Sequence, residues 1–407
     1  MRIYISGISG TGMGPLALMA KKAGHTVFGS DKNAGPIVPE LEKEGIKFEI
    51  GAQDGTFIKK HEIDWFVHTS ALPADHPELL FAKENGIKTS KRDEFIEFLV
   101  KELNLKMVAV AGTHGKTTTT SMIIWAAKKL GIPAAYLVGT TLGFAESGSY
   151  ETNDKFFIYE ADEYDRNFLA FHPWLSLITF VSYDHPDIYK TEAEYKEAFE
   201  TFKSQSENVI LGGEIDNRLS LAGAARREDA TTALKAVKEM LKNVGIEKTE
   251  EEIIEVLNSF PGVGRRFEKI ADGVYTDYAH HPEEIEATIE IANEESERLG
   301  KKGVVAIYEP HQNTRQHEVK DGYKTVFNNS KKVFWLPTYL TREDESLKIL
   351  TPEDFIRDLD DPGIAEAVEM NDDFASRVKN LAKEGYLVLL MTAGPADAWL
   401  RSIFSVL

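Results

Sequence analysis

Apolar and polar positions run through this chain in three successive rounds, each opening on a short apolar strand that empties into a polar or glycine-rich loop. In the first round RIYIS, HTVFGS and DWFVHTS read as strands. A helical pattern fills the space to about Lys22, and further helical segments continue to about Leu103. Strands alternating with helices at this pitch predict a parallel, doubly wound sheet.

The second round opens with KMVAVAG. A helix is expected from about Thr117 to Leu130, because Met122, Ile123, Ala126, Ala127 and Leu130 recur at helical spacing and Gly131 is a fitting stop. AAYLV, KFFIYE and LSLITFV read as buried strands, and EDATTALKAVKEMLKNVG as a helix. SFPGVGRRFE, with Pro261, Gly262 and Gly264, is the linker candidate. Beyond it GVVAIYE, KKVFWLP and YLVLLMTAG alternate with helices. The predicted fold is α/β in three domains, 1–104, 105–261 and 262–407.

Composition narrows the picture in a few places. A length of 407 residues exceeds one typical core, and 42% hydrophobic with 28% charged residues suits a folded chain. The net charge of −19 argues against a nucleic-acid partner, which would require a basic face. It leaves room for an anionic small molecule held by local Arg, His and helix N-termini. With no cysteine, disulfides and thiolate metal sites are excluded, as suits a reducing cytoplasm. MRIYISG has no signal-peptide pattern, and YLVLLM is too short to span a bilayer. The expectation is a cytoplasmic protein without a membrane partner.

The chemistry concentrates at strand ends. In AGTHGKTT a strand gives way to Gly112, Thr113, His114 and Gly115, and Lys116, Thr117 and Thr118 open a helix. Backbone N–H groups there suit phosphate oxygens, the Lys116 ammonium suits the outer phosphates, and the Thr117 hydroxyl suits Mg²⁺. The loop is a shortened form of the usual ATP-binding pattern, with Val110 where a further glycine would stand. FFIYEADEYD places Glu160 as the first acid past its strand, where a second Mg²⁺ ligand is needed. ITFVSYDHPDIY reads as a strand ending in Asp184 and His185, a metal-ligand candidate. Single histidines and acidic loops are more often structural, so each gains weight only from its neighbours.

A second glycine loop, GISGTGMG, follows the first strand. Gly10, Thr11, Gly12 and Met13 suit a diphosphate, and Asp31 ends the next strand, where a ribose is often read. Taken alone, this block fits a dehydrogenase as well as any other nucleotide binder. TDYAHHPEEI and YEPHQNTRQ gather His, Asp and Arg after strands of the third round, on the edge where open α/β sheets take ligands.

Read in order, GISGTGM, AGTHGKTTTT, EADEYD, DH, GVGRRFE, DYAHHP and EPHQNTR resemble the Mur ligase family over nearly the whole chain. These are the ATP-dependent amide ligases of peptidoglycan precursor synthesis. The resemblance implies a Rossmann-like N-terminal domain for a UDP sugar and a P-loop ATPase-like central domain with a shortened accessory region. A Rossmann-like C-terminal domain would take the incoming amine. It also implies that ATP phosphorylates the lactyl carboxylate of UDP-N-acetylmuramate and that the amine, L-alanine or a recycled tripeptide, displaces phosphate.

By motif, Gly10, Thr11, Gly12, Met13, Asp31 and Ser70 would hold the UDP sugar. Gly112–Thr118 and Arg266, with Asp277 on the ribose, would hold ATP. Thr117, Glu160 and His185 would bind Mg²⁺, and His281, His311 and Arg315 would face the carboxylate and the amine. Lys116, Glu160, His185, His281 and Arg315 form the implied catalytic set.

The chain departs from the family at three places. Gln312 stands where the alanine-adding branch carries an arginine, and Asn313-Thr314 looks more like the tripeptide-adding branch. Glu228, Asp229 and Thr232 replace the adenine-contacting residues, which leaves a non-catalytic nucleotide binder as an alternative. Around GGEIDNRLSLAGAARRED a run of small strands is missing. Phe199, by contrast, aligns with the lysine that later-pathway relatives carbamylate, as the resemblance implies for the alanine-adding and tripeptide-adding branch.

Overall fold

Three sheets carry the strands. The computed structural model describes residues 1–404 apart from 36, 52, 70, 71, 141, 186, 187, 342 and 345. The first sheet comprises β1 (Arg2–Ser6), β2 (Thr26–Asp31), β3 (Lys47–Ile50), β4 (Trp65–His68) and β5 (Lys88–Lys91), ordered β3-β2-β1-β4-β5 and parallel. The central strands are buried on both faces, which is why they read as unbroken apolar runs. β3 and β5 escape the sequence reading because KFEI and KTSK are short, polar edge strands. The Trp65 indole N–H fixes β5 by donating to Ser90 Oγ at 2.8 Å, and the Lys88 ammonium lies 3.2 Å from the centre of the Trp65 ring.

In the second sheet are β6 (Lys106–Ala111), β7 (Ala134–Leu137), β8 (Gly148–Ser149), β9 (Phe156–Glu160), β10 (Leu175–Ile178) and β11 (Asn208–Leu211), ordered β11-β10-β6-β9-β7-β8. Only β8 runs antiparallel to its neighbour within this sheet. The expected helix after β6 spans Lys116–Leu130 and stops on Gly131 at φ +71°. Two boundaries differ from expectation. Glu160 is the last residue of β9, paired with Val110, and β10 ends at Ile178, well short of Asp184-His185. Beyond Ile178 the backbone turns aside to bond the glycine loop, with Thr113 N–H donating to Phe180 O at 2.7 Å.

The third sheet holds β12 (Glu268–Ala271), β13 (Val274–Asp277), β14 (Val304–Glu309), β15 (Lys332–Trp335), β16 (Ala365–Ala367) and β17 (Leu387–Thr392), ordered β12-β13-β17-β14-β15-β16. Period-two alternation divides its core. Tyr308 and Trp335 join Tyr323 and Phe355 on one face, while Ile307 and Phe334 join Phe374 and Leu390 on the other.

Met1–Leu219 with Glu228–Pro261 form one compact unit, and Ser220–Arg227 with Gly262–Leu407 form another. The larger unit carries the first two sheets on one continuous core. Leu16, Phe95 and Leu99 from the first round meet Phe157, Phe168 and Phe199 from the second, each such side chain contributing roughly 1.5–3 kcal/mol by leaving water. Close approach fixes the seam. A Cβ added to Gly148 would stand 2.8 Å from Pro15 Cβ, and ion pairs Lys22–Glu146 (3.1 Å) and Lys91–Asp165 (2.8 Å) flank it. Among the described residues no helix is long and apolar enough to cross a membrane.

Candidate active site

The loop after β6 is shaped by its glycines. Gly112 (φ +144°) and Gly115 (φ +83°) adopt backbone that other residues rarely tolerate, and both lack room for a side chain. A Cβ on Gly112 would fall 2.1 Å from Thr179 Oγ1, and one on Gly115 2.3 Å from Asp229 Oδ1. Thr113 Oγ1 donates to Ser182 O at 2.7 Å and lies 2.8 Å from the Tyr195 hydroxyl, which ties the loop to the chain beyond β10. His114 stacks on the exposed ring of Phe180. The first-turn N–H groups of Lys116, Thr117 and Thr118 have no preceding carbonyl to bond within the helix and form an anion cradle.

Lys116 folds over this cradle. Its ammonium donates to Gly112 O at 2.5 Å and Thr113 O at 3.2 Å, and bridges both oxygens of Glu163 at 3.0 and 2.9 Å. Glu163 is 1% exposed. Burial pushes its carboxyl up, but hydrogen bonds from His185 and Lys116 outweigh that and hold it below the usual range. His185 Nε2 sits 3.7 Å from Glu163 Oε1 and 3.6 Å from Asp184 Oδ2. Burial lowers its pKa, the Glu163 hydrogen bond and the two carboxylate charges raise it, and the net direction is upward. Sequence reasoning passed over Glu163 in favour of Glu160, although both stand in EADEYD. The signal was present as an acid three residues past the strand end, but its target Lys116 lies 47 positions away.

Glu160 meets the opening of the helix, where Thr117 Oγ1 donates to its Oε1 at 2.8 Å. A hydroxyl and a carboxylate so paired form an oxygen donor set suited to Mg²⁺, which takes its remaining ligands from phosphate and water. No cluster of three or more His, Cys, Asp or Glu side chains able to hold a metal occurs among the described residues. Phe199 is packed in the core against Phe168 and Tyr195, with ring centres 5.1 and 5.2 Å away. Asp229 accepts from Thr119 Oγ1 at 3.1 Å beneath the cradle, and Glu228 accepts from Gly213 N–H at 2.8 Å.

The first glycine loop lies in the same unit. Gly12 caps the helix Met13–Lys22, whose Met13 side chain is buried while Thr11 faces solvent. Asp31 is drawn into the loop itself, accepting from Ser9 N–H at 2.9 Å and Asn33 N–H at 3.3 Å. Ser70 lies outside the described residues. A buried carboxylate not anticipated from the sequence, Glu78, accepts from the hydroxyls of Tyr4 (2.6 Å), Ser6 and Ser30 (both 2.8 Å) at the ends of β1 and β2.

In the smaller unit Asp277 is buried, with Phe267 N–H (2.6 Å) and Ala279 N–H (2.7 Å) on its two oxygens. Burial raises its pKa despite the Arg266 charge. Its carboxylate thus ties together the backbone at Phe267 and Ala279 with one accepted bond on each oxygen. Arg265 and Arg266 both stack on Tyr278. His280 and His281 lead into the helix Pro282–Arg298, and Glu284 accepts from both their backbone N–H groups (3.0 and 3.3 Å).

His280 meets His311 edge-on at 5.8 Å, and His311 faces Tyr339 at the same distance. Burial, His280 and Arg315 push the His311 pKa down to about 4, and its Nδ1 is buried without a partner among the described residues. The Arg315 guanidinium, on the helix Asn313–Val319, makes no hydrogen bond or ion pair among the described residues. Asn313 is buried and holds the chain at Lys348 and Leu350, while Thr314 holds Glu343. These two residues that set the chain apart by sequence thus anchor Glu343, Lys348 and Leu350.

This layout has known counterparts. The chain matches the catalytic domain of the Mur ligase family over residues 2–103, the Mur ligase middle domain over 110–258 and the Mur ligase glutamate ligase domain over 265–394. The UDP-N-acetylmuramate–L-alanine ligase of Caldicellulosiruptor saccharolyticus is 29% identical, over 99% of this chain and 98% of that protein. Its counterpart in Clostridium perfringens is 30% identical over 84% of each. Among solved structures, the UDP-N-acetylmuramate–alanine ligase of Thermotoga maritima superposes with a TM-score of 0.77 at 23% identity, covering 100% of this chain and 98% of that one. A murein peptide ligase from Psychrobacter arcticus gives 0.61 at 23% identity, over 100% and 99%. The two structures speak to fold.

Proposed function

The chain belongs to the Mur ligase family, the ATP-dependent amide-forming ligases of peptidoglycan precursors, and from that premise we propose that it joins L-alanine to the lactyl carboxylate of UDP-N-acetylmuramate. The observation that carries the reading is the Lys116–Glu163 and Thr117–Glu160 pairing around a bare anion cradle, in the same unit as a second glycine loop. Residues 1–104 hold the UDP sugar, 105–261 the ATP and 262–407 the amine.

A carboxylate is a poor acyl donor because its leaving group would be oxide. Attack of a carboxylate oxygen on the γ-phosphorus of ATP releases ADP and makes an acyl phosphate. The amine then adds to the acyl carbon, phosphate leaves, and the nitrogen gives up its proton. Lys116 offsets the repulsion between the two anions and neutralises charge on the γ-phosphoryl oxygens. Thr117 and Glu160 would hold Mg²⁺, which would supply further charge neutralisation, with His185 as the further ligand that the family resemblance implies. Glu163 keeps Lys116 and His185 in place. Arg315 captures the carboxylate of the amino acid by its guanidinium fork, beside His281 and the neutral His311.

The test is phosphate release from purified protein with ATP, Mg²⁺ and UDP-N-acetylmuramate, offered L-alanine, L-serine, glycine or the tripeptide L-alanyl-γ-D-glutamyl-diaminopimelate. L-alanine-dependent turnover that vanishes in Lys116→Ala is expected, and turnover with none of the amines sinks the proposal. Arg315→Ala should raise the KM for L-alanine on the order of 10–100-fold, as loss of a charged hydrogen bond does. The tripeptide is the second reading, favoured by Gln312 in place of an arginine; turnover with the tripeptide alone would establish it.

A further inference from the structure

Arg92 opens the helix Arg92–Glu102 at the end of β5, 80 positions past Gly12 of the first glycine loop. Its guanidinium nevertheless reaches the first loop: a Cβ added to Gly12 would lie 2.7 Å from Arg92 Nη1. The side chain is 26% exposed, and its one hydrogen bond among the described residues is a long one, from Nε to Asp93 Oδ1 at 3.3 Å. The Nη1 and Nη2 groups, which form the fork of a guanidinium, donate to nothing among the described residues. Tyr159, Asp93 and Asp162 act on its charge, but none of them accepts from the fork, which leaves those donors available to an anionic ligand.

The loop beneath has complementary vacancies. Ser9 N–H is engaged by Asp31, Gly10 N–H by Gly7 O and Met13 N–H by Gly10 O. Thr11 and Gly12 N–H donate to nothing among the described residues, and they lead into the first turn of a ten-residue helix. Backbone N–H groups, a helix N-terminus and a guanidinium fork converge on one place, and all three favour the same ligand chemistry, the anionic oxygens of a diphosphate.

We propose that Arg92 is the side-chain clamp for the diphosphate of the nucleotide sugar, closing over the Gly10–Met13 loop from the opposite side of the switch point. This rests on the UDP-sugar reading of that loop and adds to it a residue that none of the loop's own sequence reveals. The geometry also explains why position 12 is glycine in a right-handed backbone conformation, where its φ of −93° makes no demand for it. A side chain there would occupy the space of the guanidinium.

Calorimetric titration of the full chain, without ATP, tests the assignment with UDP-N-acetylmuramate, UDP and UMP as probes and a non-hydrolysable ATP analogue as the control ligand. Arg92→Ala should weaken UDP-N-acetylmuramate and UDP at least 30-fold, with UMP changed less than threefold and the ATP analogue unaffected. Arg92→Lys should fall between, because an ammonium keeps the charge and loses the fork. Equal UDP affinity in wild type and Arg92→Ala overturns the inference alone. A parallel loss for the ATP analogue, with a lower melting temperature in both variants, identifies Arg92 as a structural tie and also overturns it. Wild-type protein that binds the ATP analogue but neither UDP ligand overturns the nucleotide-sugar reading and the inference together.

Discussion

Glu163 decides where the Lys116 ammonium rests. Two charged contacts to a fully buried carboxylate keep the lysine folded on its loop, and His185 leans on the same group. Replacing Glu163 with glutamine removes the charge while keeping the shape. The kcat/KM for ATP should fall on the order of 10–100-fold, in line with a charge-assisted hydrogen bond of about 1.5–3 kcal/mol, and Glu163→Asp should recover part of it. Steady-state kinetics at saturating second substrates reads this out, and an unchanged value would remove Glu163 from the mechanism.

His311 gives a pH signature. Its pKa sits near 4, against an ordinary value of 6.5, through burial and the charges of His280 and Arg315, with Glu343 opposing. The unfolded chain therefore takes up this proton first as pH falls. The stability concerned is intact above about pH 6.5 and is lost progressively from there down to about pH 4. Denaturation midpoints of His311→Gln should show a shallower acid slope across that window than wild type, with little difference above pH 7.

At the scale of elements, the glycine loop after β6 is held from below by a helix that begins elsewhere. Gly115→Ala meets both a positive φ and Asp229 Oδ1. It should cost about 1–3 kcal/mol in denaturant unfolding, and Asp229→Ala should restore part of that by removing the steric half of the penalty. Much at this scale was legible in the chain. The central strands β1, β6, β9, β14 and β17 are buried on both faces and declare themselves as apolar runs, and the helix after Gly115 carries its own stop at Gly131. The edge strands β3, β5, β8, β11, β12 and β16 were not read, because pairing to a neighbour rather than their own composition makes them strands. The same limit governs the site: glycine loops and strand-end acids are local patterns, whereas Lys116–Glu163 and Arg92 over Gly12 are meetings of distant segments.

For the molecule as a whole, three sheets were legible from three rounds of the pattern. The single core beneath the first two was not, because an apolar helix face announces burial without naming what covers it. Phe199 lies in that core, so the position aligned with a carbamylated lysine is closed to charge. Phe199→Lys should destabilise the protein by at least about 3 kcal/mol, through a lost aromatic and a buried ammonium, as measured by urea unfolding. The shared core also has a thermodynamic reach. The glycine loops at Gly10–Met13 and Gly112–Thr118 hang on one body with a shared core, which predicts that a ligand on either draws from the same unfolding equilibrium. UDP-N-acetylmuramate alone should slow amide hydrogen exchange in β6 and β9, and an ATP analogue alone should slow it in β1 and β4. Each ligand would thus protect strands it never touches.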